Sequence, residues 1–194
     1  GRIKDEEAER LSEKGKDHLA RMQVSVQRMQ TLIQDLLSYM RSSASAGVFE
    51  HTNLNEIVTE VLEEFHEEKQ KKHAKIEVEN LGSATVIPFQ IRQLMQNLIG
   101  NALKFSKPNQ APELKISGKI AIGLAFGVDK LLPNTTYCQV VFADNGIGFE
   151  AKYAEKIFEI FQRLNGRDNY EGTGIGLSIV KKIVENHKGF ITAE

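Results

Sequence analysis

Gly172-Thr173-Gly174-Ile175-Gly176-Leu177 decides how this chain is read. Three glycines at alternate positions let backbone N–H groups approach a ligand closely. Apolar residues at helical spacing follow, at Leu177, Val180, Ile183 and Val184. Glycine-rich backbone running into a helix N-terminus is an anion site, built from orphan N–H groups and the positive end of the helix dipole. A flexible loop before an ordinary helix is the plainer alternative, and this stretch alone does not choose between them. It is not a Walker loop, which needs Gly-Lys-Ser/Thr where Gly176-Leu177-Ser178 stands. Nor is it a dinucleotide fingerprint, because a polar segment rather than a strand precedes it.

Upstream, residues 162–171 are polar, with Arg163 and Arg167, and suit a mobile lid. Before them, Asp144-Asn145-Gly146-Ile147-Gly148 ends a strand expected over 137–143. Asn-Gly signals a hairpin. What returns, however, is Ala154, Ile157, Phe158 and Phe161 at helical spacing, so a helix is expected over 150–161. Alternation places the Asp144 carboxylate on the face of Val140 and Phe142, at the rim of the core, where it can accept from a ligand amine such as that of adenine. Residues 114–126 alternate with period two and predict a long strand. Cys138 is the sole cysteine, so no internal disulfide can form, and it reads as core filler.

The helix expected from Phe89 to about Ser106 opens behind Pro88. Asn97, Asn101 and Lys104 fall within a roughly 60° arc away from its apolar face. Asparagine is a poor helix former. Carboxamide oxygens suit Mg²⁺ and a lysine suits phosphate, although a solvated polar stripe is the alternative. Short strands are expected at Val48-Phe49, Ile76–Val78 and Thr85–Ile87, with Asn53 capping a helix whose apolar face starts at Leu54. Ser42–Gly47 is small and polar, a hinge. Residues 8–41 form one long helix, with Leu19, Met22, Val26, Met29, Ile33, Leu36 and Met40 alternating three and four apart as a bundle or coiled-coil seam. Such a seam needs a partner helix, a symmetry mate, or both.

With 41% hydrophobic and 26% charged residues and a net charge of −1, the composition is that of an ordinary globular protein. No basic excess points to nucleic acid, and no apolar run approaches a membrane span. A reducing, cytoplasmic setting is the expectation.

Four segments in this order resemble the ATP-binding catalytic domain of sensor histidine kinases. Gln93 to Phe105 looks like the N box, and Asp144 to Phe149 like the first glycine box. Phe158 to Leu164 looks like the F box, and Gly172 to Leu177 like the second glycine box. The resemblance covers residues 48–194, while residues 8–41 are similar to the second helix of the family's dimerisation and phosphotransfer domain. It implies an α+β fold: a two-layer α/β sandwich with a mixed, largely antiparallel sheet and helices on one face, preceded by the long helix. The expected division is 1–41, a hinge at 42–47, and 48–194.

The resemblance further implies binding of Mg-ATP and transfer of its γ-phosphoryl to a histidine, then to a response regulator. Asn101 would bind Mg²⁺, with Asn97 in a supporting or catalytic position. Lys104 would contact phosphate and Phe105 would lie near adenine. Asp144 would receive the adenine amine, with Gly146 and Gly148 giving room. Arg163 and the loop to Glu171 would form a lid, and Gly172, Thr173, Gly174, Gly176 and Leu177 would wrap the phosphates. A homodimer would form through residues 8–41. None of the five histidines has the family's acceptor context, so the acceptor is expected upstream of Gly1, and His18 is expected to be a surface or seam-edge residue. A gyrase- or chaperone-type ATPase, a non-catalytic scaffold and a nucleotide sensor stay open.

Overall fold

The computed structural model describes residues 12–43, 47–164 and 172–194. The expectations for residues 8–11, for the middle of the hinge and for the 165–171 part of the lid lie outside the described residues. Helix α1 spans Glu13–Ser43. There follow β1 (Glu50–Asn53), α2 (Leu54–Glu64), the short α3 (His66–Lys71), β2 (Lys75–Val78), β3 (Ser83–Val86) and α4 (Pro88–Lys104). Strands β4 (Glu113–Ile122) and β5 (Thr136–Asp144) precede the last helix, α5 (Gly176–Asn186).

The strands form two ladders. β1 pairs with β3 antiparallel, Glu50 opposite Val86. In the second ladder β4 is central, parallel to β2 and antiparallel to β5, with Leu114 opposite Asp144. The fold is therefore α+β with a mixed sheet, as expected. Helices α2 and α4 pack on each other and α4 on β4. Between them lie Val58 and Val61 from α2, Met95, Ile99 and Leu103 from α4, and Ile116 from β4, all 1% exposed or less. Full burial of such side chains is worth about 1.5–3 kcal/mol each before entropy is counted.

Local chemistry explains the helix starts. Asn53 caps α2, its Oδ1 accepting the Asn55 N–H at 3.0 Å. Pro88 opens α4 at a position where the missing N–H costs nothing. The His187 ring closes α5: its Nε2 accepts the Ile87 N–H at 2.9 Å, so Nδ1 carries the proton and donates to the Ile183 carbonyl at 2.7 Å.

Four expectations are corrected. Strand β1 begins at Glu50, two residues later than Val48, and Val48 is 72% exposed. β4 ends at Ile122, where Gly123–Phe126 turns into a 3₁₀ segment ended by Gly127 at φ 64°. A Cβ at Gly123 would sit 2.3 Å from the Leu132 carbonyl oxygen, so the returning chain crowds it there. Residues 150–161 are not one helix but two single 3₁₀ turns, Ala151–Tyr153 and Lys156–Phe158. Phe158 is buried, but Phe161 is 61% exposed with φ 64°, which no continuing helix allows. Finally, residues 189–194, whose pattern reads as the beginning of a further strand, carry none.

Candidate functional site

The C-terminal turn of α4 and the loop entering α5 face one another. A Cβ built on Gly172 would lie 2.3 Å from the Lys104 Nζ, and one on Gly176 would lie 2.7 Å from the Asn97 Oδ1. A Cβ on Gly174 would meet the Gln162 carbonyl oxygen at 2.9 Å. The bare backbone is thus what lets the loop approach α4 and residues 161–163. Gly172 and Gly174 also have φ of 149° and 76°, a region that L side chains avoid. Arg163 fastens the loop's start, its Nη1 donating to the Gly172 carbonyl at 2.8 Å.

On α4, Asn97 is half-buried and donates from Nδ2 to the Gln93 carbonyl at 2.8 Å, which aims its oxygen outward at Gly176. Asn101 is half-buried one turn on. Its backbone carbonyl accepts from Phe105, and its carboxamide has no hydrogen-bond partner among the described residues. The Lys104 ammonium lies 4.6 Å from the centroid of the Phe105 ring.

Phe105 links this turn to the segment after β5. Its carbonyl accepts the Ile147 N–H at 2.9 Å, and a Cβ on Gly146 would lie 2.7 Å from that same oxygen. Asp144 is exposed rather than set at the rim of the core, because it is the last residue of β5, where the chain leaves the ladder. Its Oδ1 accepts the Gly146 N–H at 2.8 Å, an Asx-type turn that holds the carboxylate over the glycine. Gly148, at φ 62°, is exposed and crowded by nothing within 4 Å.

So Asp144, Gly146, Phe105, Lys104, Asn97, Gly172, Gly176 and Arg163 form one connected set, Gly174 being packed on residues 161–163. Thr173 points the other way, its hydroxyl donating to the Asp35 carboxylate of α1. Leu177 is half-buried in the first turn of α5.

Two contributors escaped the sequence reading. Asn145, read only as a turn signal, pins the segment to the start of β4. Its Oδ1 accepts the Glu113 N–H at 2.9 Å and its Nδ2 donates to the Ala111 carbonyl at 3.1 Å. Asp35 was invisible because it lies some 140 residues before the loop; its one signal was standing between Leu32 and Tyr39 at helical spacing.

Among the described residues no group of three His, Cys, Asp or Glu side chains could hold a metal ion. A cation bound here would be held by carboxamide, ligand oxygens and water. Burial raises the Cys138 thiol above its usual range, and its Sγ faces the Leu81 carbonyl at 3.7 Å. It lies apart from the site, as a core-filling thiol. No described helix is long and apolar enough to cross a membrane.

The chain is similar to known proteins in sequence and in fold. The model of the histidine kinase-, DNA gyrase B- and HSP90-like ATPases matches residues 86–194, more than half of the chain. The phytochrome-like protein Cph1 of Synechocystis is 36% identical over 188 residues, which are 96% of this chain and 23% of that protein. The signal transduction histidine-protein kinase/phosphatase MprB of Mycobacterium avium is 27% identical over 87% of this chain and 30% of its own length. The catalytic domain of histidine kinase ThkA superposes with a TM-score of 0.56 at 26% identity, over 75% of this chain and 87% of that one. Full-length ShkA in complex with AMPPNP gives 0.65 over 94% of this chain and 36% of that one; at 19% identity this likeness speaks to the fold alone. The chain spans about a quarter or less of the phytochrome-type relatives it matches.

Proposed function

The chain belongs to the family of histidine kinase-, DNA gyrase B- and HSP90-like ATPases, and on that premise we propose that it is the catalytic core of a sensor histidine kinase. It binds Mg-ATP against the loop 172–176 and positions the γ-phosphoryl for transfer to a histidine outside this chain. One observation carries the reading. Asn97, Lys104 and Arg163 converge on a loop whose three glycines could not carry side chains without striking them or the chain beside them.

In this reading the loop's N–H groups and Lys104 neutralise the phosphates. The Asn101 carboxamide, half-buried and without a hydrogen-bond partner among the described residues, would be the protein's ligand for Mg²⁺, which prefers few protein ligands and keeps several waters. The metal, when bound, supplies further charge neutralisation of the phosphates. The Asp144 carboxylate, held by Gly146, accepts the adenine amine, and the Phe105 ring lies beside the base. Gly148 leaves room for the ligand, Thr173 and Leu177 belong to the phosphate wrap, and Arg163 anchors the start of the lid. Asn97 orients rather than reacts. Phosphoryl transfer needs position and charge more than a protein nucleophile. The bridging O–P bond to ADP breaks as an N–P bond to the acceptor histidine forms.

The long helix supplies the rest. Met22, Val26, Met29, Ile33, Leu36 and Met40 are between 44% and 60% exposed on one face of α1. That face fits a second copy, and relay to a response-regulator receiver domain follows from the kinase reading. Residues 1–41 are then the dimerisation part, 42–47 a hinge and 48–194 the nucleotide-binding part.

Calorimetry with a non-hydrolysable ATP analogue tests the site, with micromolar binding that strengthens with Mg²⁺ as the expected result. No heat would leave a scaffold. Steady hydrolysis of ATP by the isolated chain would favour the gyrase and chaperone branch instead.

A further inference from the structure

Helix α1 carries two faces. Met22, Val26, Met29, Ile33, Leu36 and Met40 form the exposed seam. Leu32, Asp35 and Tyr39, three and four residues apart, form another face whose centre lies about 100° round the helix. Leu32 and Tyr39 pack against Ile175, Ile179 and Ile183, each 2% exposed or less. Asp35, between them, accepts the hydroxyl of Thr173, and Thr173 sits between Gly172 and Gly174. The docked face of α1 therefore ends in a carboxylate at the flank of the glycine loop. Asp35 is half-buried and has no ion-pair partner among the described residues.

We propose that Asp35 is a positioning residue for the nucleotide loop, acting through Thr173, and that its charge sets the docked helix and a bound polyphosphate in competition. The inference rests on reading 172–176 as the phosphate cradle. With the loop empty, the Thr173 hydroxyl holds Asp35, and the Ile175–Ile183 surface is covered by Leu32 and Tyr39. A polyphosphate in the loop places several negative charges near the carboxylate. In a partly buried setting of low effective dielectric, that repulsion is not lost to solvent. Nucleotide then favours release of α1, and by linkage docked α1 weakens the nucleotide by the same factor. The seam on the other face is not involved, so the chain can dimerise in either state.

The experiment is calorimetry at low salt with two probes, the β,γ-imido analogue of ATP and AMP, on the whole chain and its Asp35→Asn variant. Asparagine keeps an acceptor for Thr173 and removes the charge. Expected is a tightening of about three- to tenfold for the triphosphate, shrinking as salt is raised, and less than about twofold for AMP. A purely structural role would move both nucleotides alike, and that result overturns the proposal. So does an unchanged or weakened triphosphate affinity.

The double variant Leu32→Ala/Tyr39→Ala, which undocks the helix by loss of apolar contact, should tighten the triphosphate too. Adding Asp35→Asn to it should then change nothing further; full additivity overturns the proposal. Failure of either protein to bind any adenosine phosphate overturns both this inference and the functional reading. Equal triphosphate binding by both proteins overturns this inference alone.

Discussion

At Gly172 the backbone disfavours a side chain, φ being 149°, and the Lys104 Nζ, 2.3 Å from where a Cβ would sit, would have to move aside. Gly172→Ala should therefore weaken nucleotide binding by about 1–3 kcal/mol, the scale of a strained residue in this region. Gly127→Ala is the control: its φ is 64° but nothing lies within 4 Å, so stability should fall while nucleotide affinity holds. Equal loss of affinity in both would deny the loop its special place. Asp144→Asn keeps an acceptor for the Gly146 N–H, so the turn survives while the charge goes. An adenine nucleotide should then lose about 1–3 kcal/mol, read by titration against a guanine nucleotide as the unaffected comparison. Cys138 gives a chemical check. Burial raises its thiol pKa, which depletes thiolate at neutral pH, so alkylation should be slower than for a small free thiol and should quicken only in more alkaline buffer. At this scale most of the residues that lie together at the candidate site could be picked out in the sequence, because asparagine within a helix and alternate glycines are choices a plain scaffold does not need. Asp35 and the pinning role of Asn145 were not, since both act on segments their own neighbours do not reveal.

The elements that could be read were those with one repeating environment. α4 and α5 each show a steady apolar stripe, α4 with Pro88 as a start signal, and both lie close to where the spacing puts them. The segment 150–161 has the same spacing but a helical face is not what it buries. Only Phe158 enters the core, and two separate 3₁₀ turns suffice to deliver it. Periodicity reports which residues are apolar, and tertiary contacts decide which are used. The end of α5 offers a test of one such contact. His187 satisfies the Ile87 N–H, caps the helix through Ile183, and meets the Phe49 ring edge-on at 5.2 Å. His187→Ala leaves a part-buried donor unpaired and should cost about 1–3 kcal/mol in urea unfolding. His187→Gln, which can still accept, should recover part of that loss. Identical midpoints for Ala and the parent would mean that water replaces the ring at no cost.

Across the whole molecule, α1 is the part whose two faces answer to different partners. Its seam is exposed, while Leu32 and Tyr39 lie on the α5 isoleucines. A modular chain with a free hinge would lose its dimer and nothing else when 1–45 are removed. The structure argues for a different outcome. Gly47 is tightly packed, a Cβ there falling 2.4 Å from Ile87 Cγ2, so the chain entering β1 is held rather than loose at that point. Removing 1–45 also uncovers Ile175, Ile179 and Ile183 next to the glycine loop. The truncated protein should be monomeric by light scattering and still bind nucleotide, with an affinity for the triphosphate raised as far as Asp35→Asn raises it. Its thermal midpoint should fall, because three isoleucines lose their cover. Ile33→Lys, on the seam, should instead abolish the dimer and leave both the thermal midpoint and the triphosphate affinity where they were, since that side chain is 59% exposed and does not belong to the docked face. If the seam variant moves nucleotide affinity as much as the truncation does, dimerisation and docking are one event, and the two faces of α1 cannot be assigned separate roles.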